Sequence, residues 1–144
     1  MRLLPFLALA SFTCLAAAQP EDEAVKKELK RFQGKWEAVA SQGFDGKSPT
    51  DVELSLTSLV IEGNKFTLKT GSITVDLYFK IDPTKKIKTI DVYGKDAPDK
   101  VLLRGIYEIK GDTRKSCFSE AGKARPDRFR KEKGFMTLEW KRAQ

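Results

Sequence analysis

The stretch ITVDLYFKID, residues 73–82, is the clearest strand in the sequence. Apolar side chains occupy every second position: Ile73, Val75, Leu77, Phe79 and Ile81. Because successive side chains of a strand point to opposite faces, this period of two predicts a strand with one buried and one solvated face. Asp82-Pro83 ends the strand, since proline lacks the N–H that a sheet ladder needs.

The same period continues on both sides of this strand. Upstream, two short alternating segments flank Gly63-Asn64, a dipeptide that tolerates the positive φ of a tight hairpin turn. Further strands are predicted around residues 36–41, 87–93, 101–109, 113–119 and 136–140. Eight strands joined mostly by short turns favour an antiparallel meander. Closure removes the exposed edges of such a meander, so we expect an all-β fold with an eight-stranded barrel.

A short amphipathic helix is predicted before the first strand, over residues 21–33. Val25, Leu29 and Phe32 recur at helical spacing, and Gly34 follows as a stop signal. We expect this apolar stripe to pack on the barrel. A barrel of eight strands is either filled by side chains or encloses one small ligand, and the sequence leaves both alternatives open.

The first residues have the features of an export signal. Arg2 precedes the apolar stretch 3–15, and Ala16-Ala17-Ala18 supplies the small residues of a cleavage site. The apolar stretch is too short to span a bilayer. We therefore predict a cleaved signal peptide over residues 1–18.

Cleavage would leave residues 19–144 as a single domain in a periplasmic or extracellular protein. Cys14 raises the alternative of a lipoprotein anchor, but residues 11–13 lack the aliphatic and small side chains that such a site normally shows. Cys117 would then be alone, so no internal disulfide is expected and packing must hold the domain together.

Composition excludes several classes of enzyme. The chain has 144 residues, a formal net charge of +7 and no histidine. Without histidine there is no Ser-His-Asp or Cys-His catalysis and no histidine-bound metal. Cys117 is interpreted as a small apolar residue, and Asp76, Asp91 and Glu108 as solvated or cross-strand partners of lysines. We expect no enzyme, no catalytic residue, no cofactor and no metal site.

Gly34-Lys35-Trp36 after a short helix resembles the G-x-W motif that opens the first strand of lipocalins. The resemblance implies that Trp36 plugs the closed end of the barrel and that Arg142 packs over it. Nearly the whole of the predicted domain resembles a lipocalin-like domain family of planctomycete bacteria that has no established activity. The matching segments are 28–36, 81–86, 88–91, 105–112, 117–118 and 122–126. This resemblance implies the fold and the compartment only.

One departure from that family falls in the predicted strand 113–119. Arg114 and Ser116 stand where the family usually has apolar residues, in phase with Phe118. If this face points inward, the lumen is more polar than in the relatives. If it points outward or to the rim, Arg114 is a surface residue, and this is the interpretation that we favour.

The leading functional hypothesis is an exported, non-enzymatic module that binds a small, mostly apolar ligand in the barrel. The residues predicted to line the lumen are Trp36, Leu77, Phe79 and Tyr107. The alternative is a filled barrel that binds an acidic protein or an envelope polyanion through the basic loop 114–133, above all Arg125, Arg128 and Arg130. Nucleic acid is not an expected partner, because the chain lacks a helical or aromatic platform for reading bases. The oligomeric state is left open.

Overall fold

The computed structural model describes residues 20–144, so the predicted signal peptide and the alternative at Cys14 lie outside the described residues. The described chain forms two helices and eight strands. They are α1 (Pro20–Phe32), β1 (Gly34–Gln42), α2 (Asp51–Ser55), β2 (Thr57–Glu62), β3 (Lys65–Thr70), β4 (Ile73–Asp82), β5 (Thr89–Tyr93), β6 (Val101–Lys110), β7 (Thr113–Ser119) and β8 (Phe135–Arg142). Neither helix is long and apolar enough to cross a membrane.

The eight strands close into one antiparallel barrel in sequence order, as the period-two pattern predicted. Each strand pairs with the next along the chain, and β8 returns to pair with β1. Trp36 near the start of β1 lies opposite Arg142 at the end of β8. Each of the eight strands has a paired neighbour on both sides in this order, so the barrel has no free edge strand.

The helix α1 covers one end of the barrel, which we call the closed end. Phe32 at its last position is almost fully buried in the core, and Val25 and Leu29 pack against that core. The Gln33 side chain exchanges two hydrogen bonds with the backbone of Gly63 in the β2–β3 turn, at 2.9 and 2.6 Å. The predicted apolar stripe therefore does pack on the barrel, and polar contacts fix the end of the helix against a turn.

Strand β4 extends past its neighbour at the other end of the barrel, which we call the open end. Its pairing with β5 begins only at Tyr78, whereas its pairing with β3 begins at Ile73. As a result Ile73 and Val75 are exposed, although they share the apolar face of the strand. The prediction of one continuous buried face holds only for the second half of β4.

The alternation of β1 is interrupted by a bulge. Ala38 pairs with Trp140 and Ala40 with Glu139, so Val39 between them has no partner in the ladder and is exposed. An extra residue reverses the alternation beyond it. Ser41, rather than Ala40, therefore faces the interior near the open end.

Strand β7 corrects the interpretation favoured for Arg114. Arg114, Ser116 and Phe118 are all buried and point into the barrel, so the outward position is wrong. Toward the end of β7 the opposite face is buried as well, at Cys117 and Ser119, because the segment 120–133 packs over it. Ser119 donates to the backbone carbonyl of Ala124 at 2.5 Å, and Cys117 is fully covered. With both faces buried, polarity could not indicate which one faces the lumen.

Candidate ligand-binding site in the barrel

The floor of the lumen is built around Trp36. Its indole Nε1 donates to the carbonyl of Phe32 at 2.8 Å, and its ring lies 4.3 Å from the guanidinium carbon of Arg142. Arg142 also donates to the carbonyls of Gln33 and Arg31, at 2.6 and 2.7 Å. These carbonyls end the helix α1, where a positive charge is favourable. The closed end is therefore sealed by a tryptophan and by an arginine whose three nitrogens each donate a hydrogen bond.

A second arginine lies just above this floor, inside the barrel. The guanidinium carbon of Arg114 is 5.1 Å from the centre of the Phe32 ring and 5.2 Å from that of Trp36. The residue is only 5% exposed. A guanidinium over aromatic rings gains cation–π attraction, but the rings accept no conventional hydrogen bond from its N–H groups.

Arg114 lacks the polar partners that Arg142 has. Its Nε and Nη2 atoms are buried and make no hydrogen bond within residues 20–144. None of the salt bridges found in this part of the chain involves it. Burial, reinforced by the nearby positive charge of Arg142, lowers the pKa of Arg114 to about 9. The group is thus still cationic at neutral pH, a buried charge with no counter-charge from the described residues.

Arg114 lines a small inner cavity of about 40 Å³. Besides Arg114, Ser116 is polar, and the rest of the wall is apolar. The aromatic part of this wall consists of Phe32, Phe66, Phe79, Phe118 and Trp140. A cavity of this size holds one or a few water molecules, or the head of a small ligand.

A larger outer cavity of about 320 Å³ lies toward the open end, between α2 and strands β2, β3 and β8. Its wall is mostly apolar, with Leu59, Leu68 and Met136 among the lining residues. Phe66 and Trp140 line both cavities. The volume falls at the lower end of the range typical of small-molecule pockets. The interior is therefore graded, with an apolar chamber outside and a positively charged recess inside.

The four residues predicted to line the lumen occupy different places. Phe79 lines the inner cavity. Trp36 and Tyr107 are buried in the packed core, Tyr107 with its ring edge on Phe32, and neither contacts a cavity of the interior. Leu77 is half-buried and packs against the core without lining either cavity.

Sequence reasoning did not select the residues that line both cavities or the arginine that lines the inner one. Phe66, Leu138 and Trp140 belong to strands that were predicted, but no local feature distinguishes them from other apolar positions. Arg114 had a signal, since it and Ser116 alternate with Phe118. This pattern identifies Arg114 as a lumen residue only when it is known which face of β7 points into the barrel.

Arg125, in the predicted basic patch, is used to hold the loop on the barrel. Its Nη1 donates to the carbonyls of Gly105 and Ile90, at 2.8 and 3.2 Å. Its Nη2 lies 2.7 Å from a carboxylate oxygen of Asp91. This side chain joins the loop to strands β5 and β6, so its charge is already compensated.

Arg130 is also engaged, whereas Arg128 is exposed. Arg130 lies between two carboxylates, 2.8 Å from Asp127 and 3.0 Å from Glu132, and its guanidinium is 5.3 Å from the ring of Phe135. The three arginines therefore do not form one continuous, uncompensated basic surface.

The other titratable groups considered in the sequence lie away from the cavities. Burial raises the pKa of the Cys117 thiol, which faces the loop and not the lumen. Asp76 accepts from Thr67 at 2.7 Å, and Glu108 lies 2.7 Å from Lys110. Within residues 20–144 no group of three or more Cys, Asp or Glu side chains is placed to hold a metal ion.

Comparisons of the chain with protein-family models, with curated proteins and with solved structures find no match.

Proposed function

We propose that this chain is an exported, non-enzymatic binding module that holds a small, mostly apolar molecule inside its barrel. The observation that carries the proposal is the apolar outer cavity, which shares walls with the inner cavity deeper in the same lumen. Export is supported by the signal-like residues 1–18 of the sequence.

The exposed apolar residues at the open end also support this proposal. Ile73 is 63% exposed on the part of β4 that extends beyond β5, and Val75 follows it on the same face. An apolar ligand entering at this end would contact them before reaching Leu68, which pairs with Val75 and lines the outer cavity.

The alternative, a surface that binds a polyanion through the basic loop, has weaker support. It requires Arg125 and Arg130 to present their charges to a partner, whereas both are paired with carboxylates. The anionic groups of a partner would first have to displace these carboxylates from the two arginines.

A neutral apolar dye tests the proposed function. N-phenyl-1-naphthylamine fluoresces strongly only in an apolar environment, so titration of the folded protein should give a saturable signal at one dye per chain. The substitution Leu138→Trp enlarges a side chain that lines both cavities, and we expect it to weaken binding about tenfold or more. Leu68→Trp, in the outer cavity alone, gives a second measurement of the same effect.

The matched control is Leu102→Trp. Leu102 is an exposed leucine on β6, so the same enlargement there should leave the dye affinity unchanged. Circular dichroism establishes that each variant is folded before its titration is interpreted. Absence of saturable binding to the wild-type protein, or equal weakening by Leu102→Trp, would contradict a binding site in the lumen.

A further inference from the structure

The unpaired guanidinium of Arg114 is the feature of the lumen that a purely apolar ligand does not explain. A neutral molecule in the outer cavity would leave Nε and Nη2 without partners. Burial of an unpaired charge is costly, and replacement of such a residue by an apolar one is often neutral or stabilising. An unsatisfied buried group therefore calls for a specific explanation.

We infer that the lumen takes a small organic anion with an apolar body, and that its carboxylate pairs with Arg114 while its apolar part occupies the outer cavity. This inference rests on the proposed function and specifies the class of ligand.

The geometry of the guanidinium supports a carboxylate. The Nε–H and one Nη2–H lie along a single edge of the planar group, and both of these nitrogens are buried without a partner among the described residues. Their spacing matches the two oxygens of a carboxylate, which forms paired, charge-assisted hydrogen bonds with arginine. Ser116 lines the same cavity, and its hydroxyl is a further potential donor. In the structure both nitrogens are covered by packed side chains, so binding requires a rotation of Arg114 that turns this edge toward the inner cavity.

The electrostatics of the floor also favour an anion. Arg114 and Arg142 both lie within about 5 Å of the Trp36 ring, and no carboxylate of the described residues lines the inner cavity. Charges in a recess with low-dielectric walls act more strongly than on the surface. The grading of the interior fits the order of an amphiphile, with the charged head inside and the apolar tail toward the open end.

A pair of ligands that differ only in the head group tests the inference. Decanoate and decan-1-ol have the same ten-carbon chain, and acetate carries the carboxylate without the chain. Isothermal titration at pH 7, below the critical micelle concentration, gives the affinity of each for the full-length folded protein. We expect decanoate to bind about 10- to 100-fold more tightly than decan-1-ol, the range for a hydrogen-bonded charge pair, and acetate to bind much more weakly than either.

Two substitutions assign this preference to Arg114. Arg114→Met keeps an unbranched side chain and removes the charge, so the preference for decanoate should disappear while decan-1-ol binds as before. Arg114→Lys keeps the charge but lacks the two parallel N–H groups of the guanidinium, so it should retain part of the preference for decanoate. Arg104→Met removes an exposed arginine from the outer face of β6 and should change nothing.

The outcomes separate this inference from the proposed function. Equal affinity for decanoate and decan-1-ol, or a preference that survives in Arg114→Met, would overturn the anion site and leave the apolar site standing. Acetate binding as tightly as decanoate would also overturn it, since the recess would then take a small ion without an apolar body. If neither ten-carbon ligand nor the neutral dye binds, both proposals are wrong.

Discussion

Removal of the buried charge at position 114 should stabilise the protein in the absence of ligand. Arg114→Met eliminates an unpaired cation that is 5% exposed and replaces it with an apolar chain of similar length. Relief of a buried charge contributes on the order of 1–4 kcal/mol in favour of the variant. Loss of the cation–π contacts with Phe32 and Trp36 offsets this by about 0.5–2 kcal/mol.

The net expectation is a gain of about 1–2 kcal/mol in the free energy of unfolding at pH 7. For a domain of this size that corresponds to a rise in Tm of roughly 4–8 °C. Urea denaturation of protein stripped of bound molecules by refolding measures the free energy, and calorimetry measures Tm.

Arg142→Met is the contrasting variant, because Arg142 donates to two carbonyls at the end of α1 and contacts Asp112. It should lose about 2–4 kcal/mol. Arg104→Met should stay within about 0.5 kcal/mol of the wild type, as exposed substitutions usually do. If Arg114→Met is destabilised by 1 kcal/mol or more, as Arg142→Met is, Arg114 is a structural residue and the reasoning that assigns it to a ligand fails.

Three further predictions concern the frame around the site. Gly105→Ala should lose about 1–3 kcal/mol in urea denaturation, because a Cβ there would lie 2.5 Å from the ring of Phe118; an unchanged midpoint would refute this close packing. Burial and, secondarily, Glu28 raise the pKa of Tyr107 above its ordinary value near 10, so the unfolded chain loses this proton first as pH rises. Wild-type stability should therefore fall above pH 10 by up to about 1.4 kcal/mol per pH unit relative to Tyr107→Phe, and parallel pH profiles of the two proteins would contradict it. Arg125→Met should detach the loop, losing about 1–3 kcal/mol and speeding proteolysis within residues 120–133, whereas Arg128→Met should match the wild type.

Much of the fold follows from the period of side chains along the chain. The alternation in residues 73–82 and in its neighbours predicts strands, and the short turns predict antiparallel neighbours, so the closed barrel follows without tertiary information. The helix before β1 is predicted because Val25, Leu29 and Phe32 recur at helical spacing. Its packing on the barrel is predicted because this apolar stripe has to be buried. These patterns can be read from short segments of the sequence, and each strand forms its hydrogen bonds mainly with the next strand along the chain.

The candidate site could not be derived in the same way. Alternation defines two faces of β7 but not which of them is inside, and the covering loop buries Cys117 and Ser119 as thoroughly as Arg114. The bulge at Val39 shifts the inward positions of β1 by one residue, a change that depends on pairing with β8. The face of each strand that points inward, and the register in which β1 pairs with β8, are properties of the whole barrel. The cavities depend on both.

A crystal structure of the protein grown with decanoate tests the central claim most directly. We expect electron density for the ligand in the lumen, with its two carboxylate oxygens within hydrogen-bond distance of Nε and Nη2 of Arg114 and its chain along Leu68 and Leu138. Density for the ligand only on the outside of the barrel, or a carboxylate that points to the open end away from Arg114, would contradict the claim.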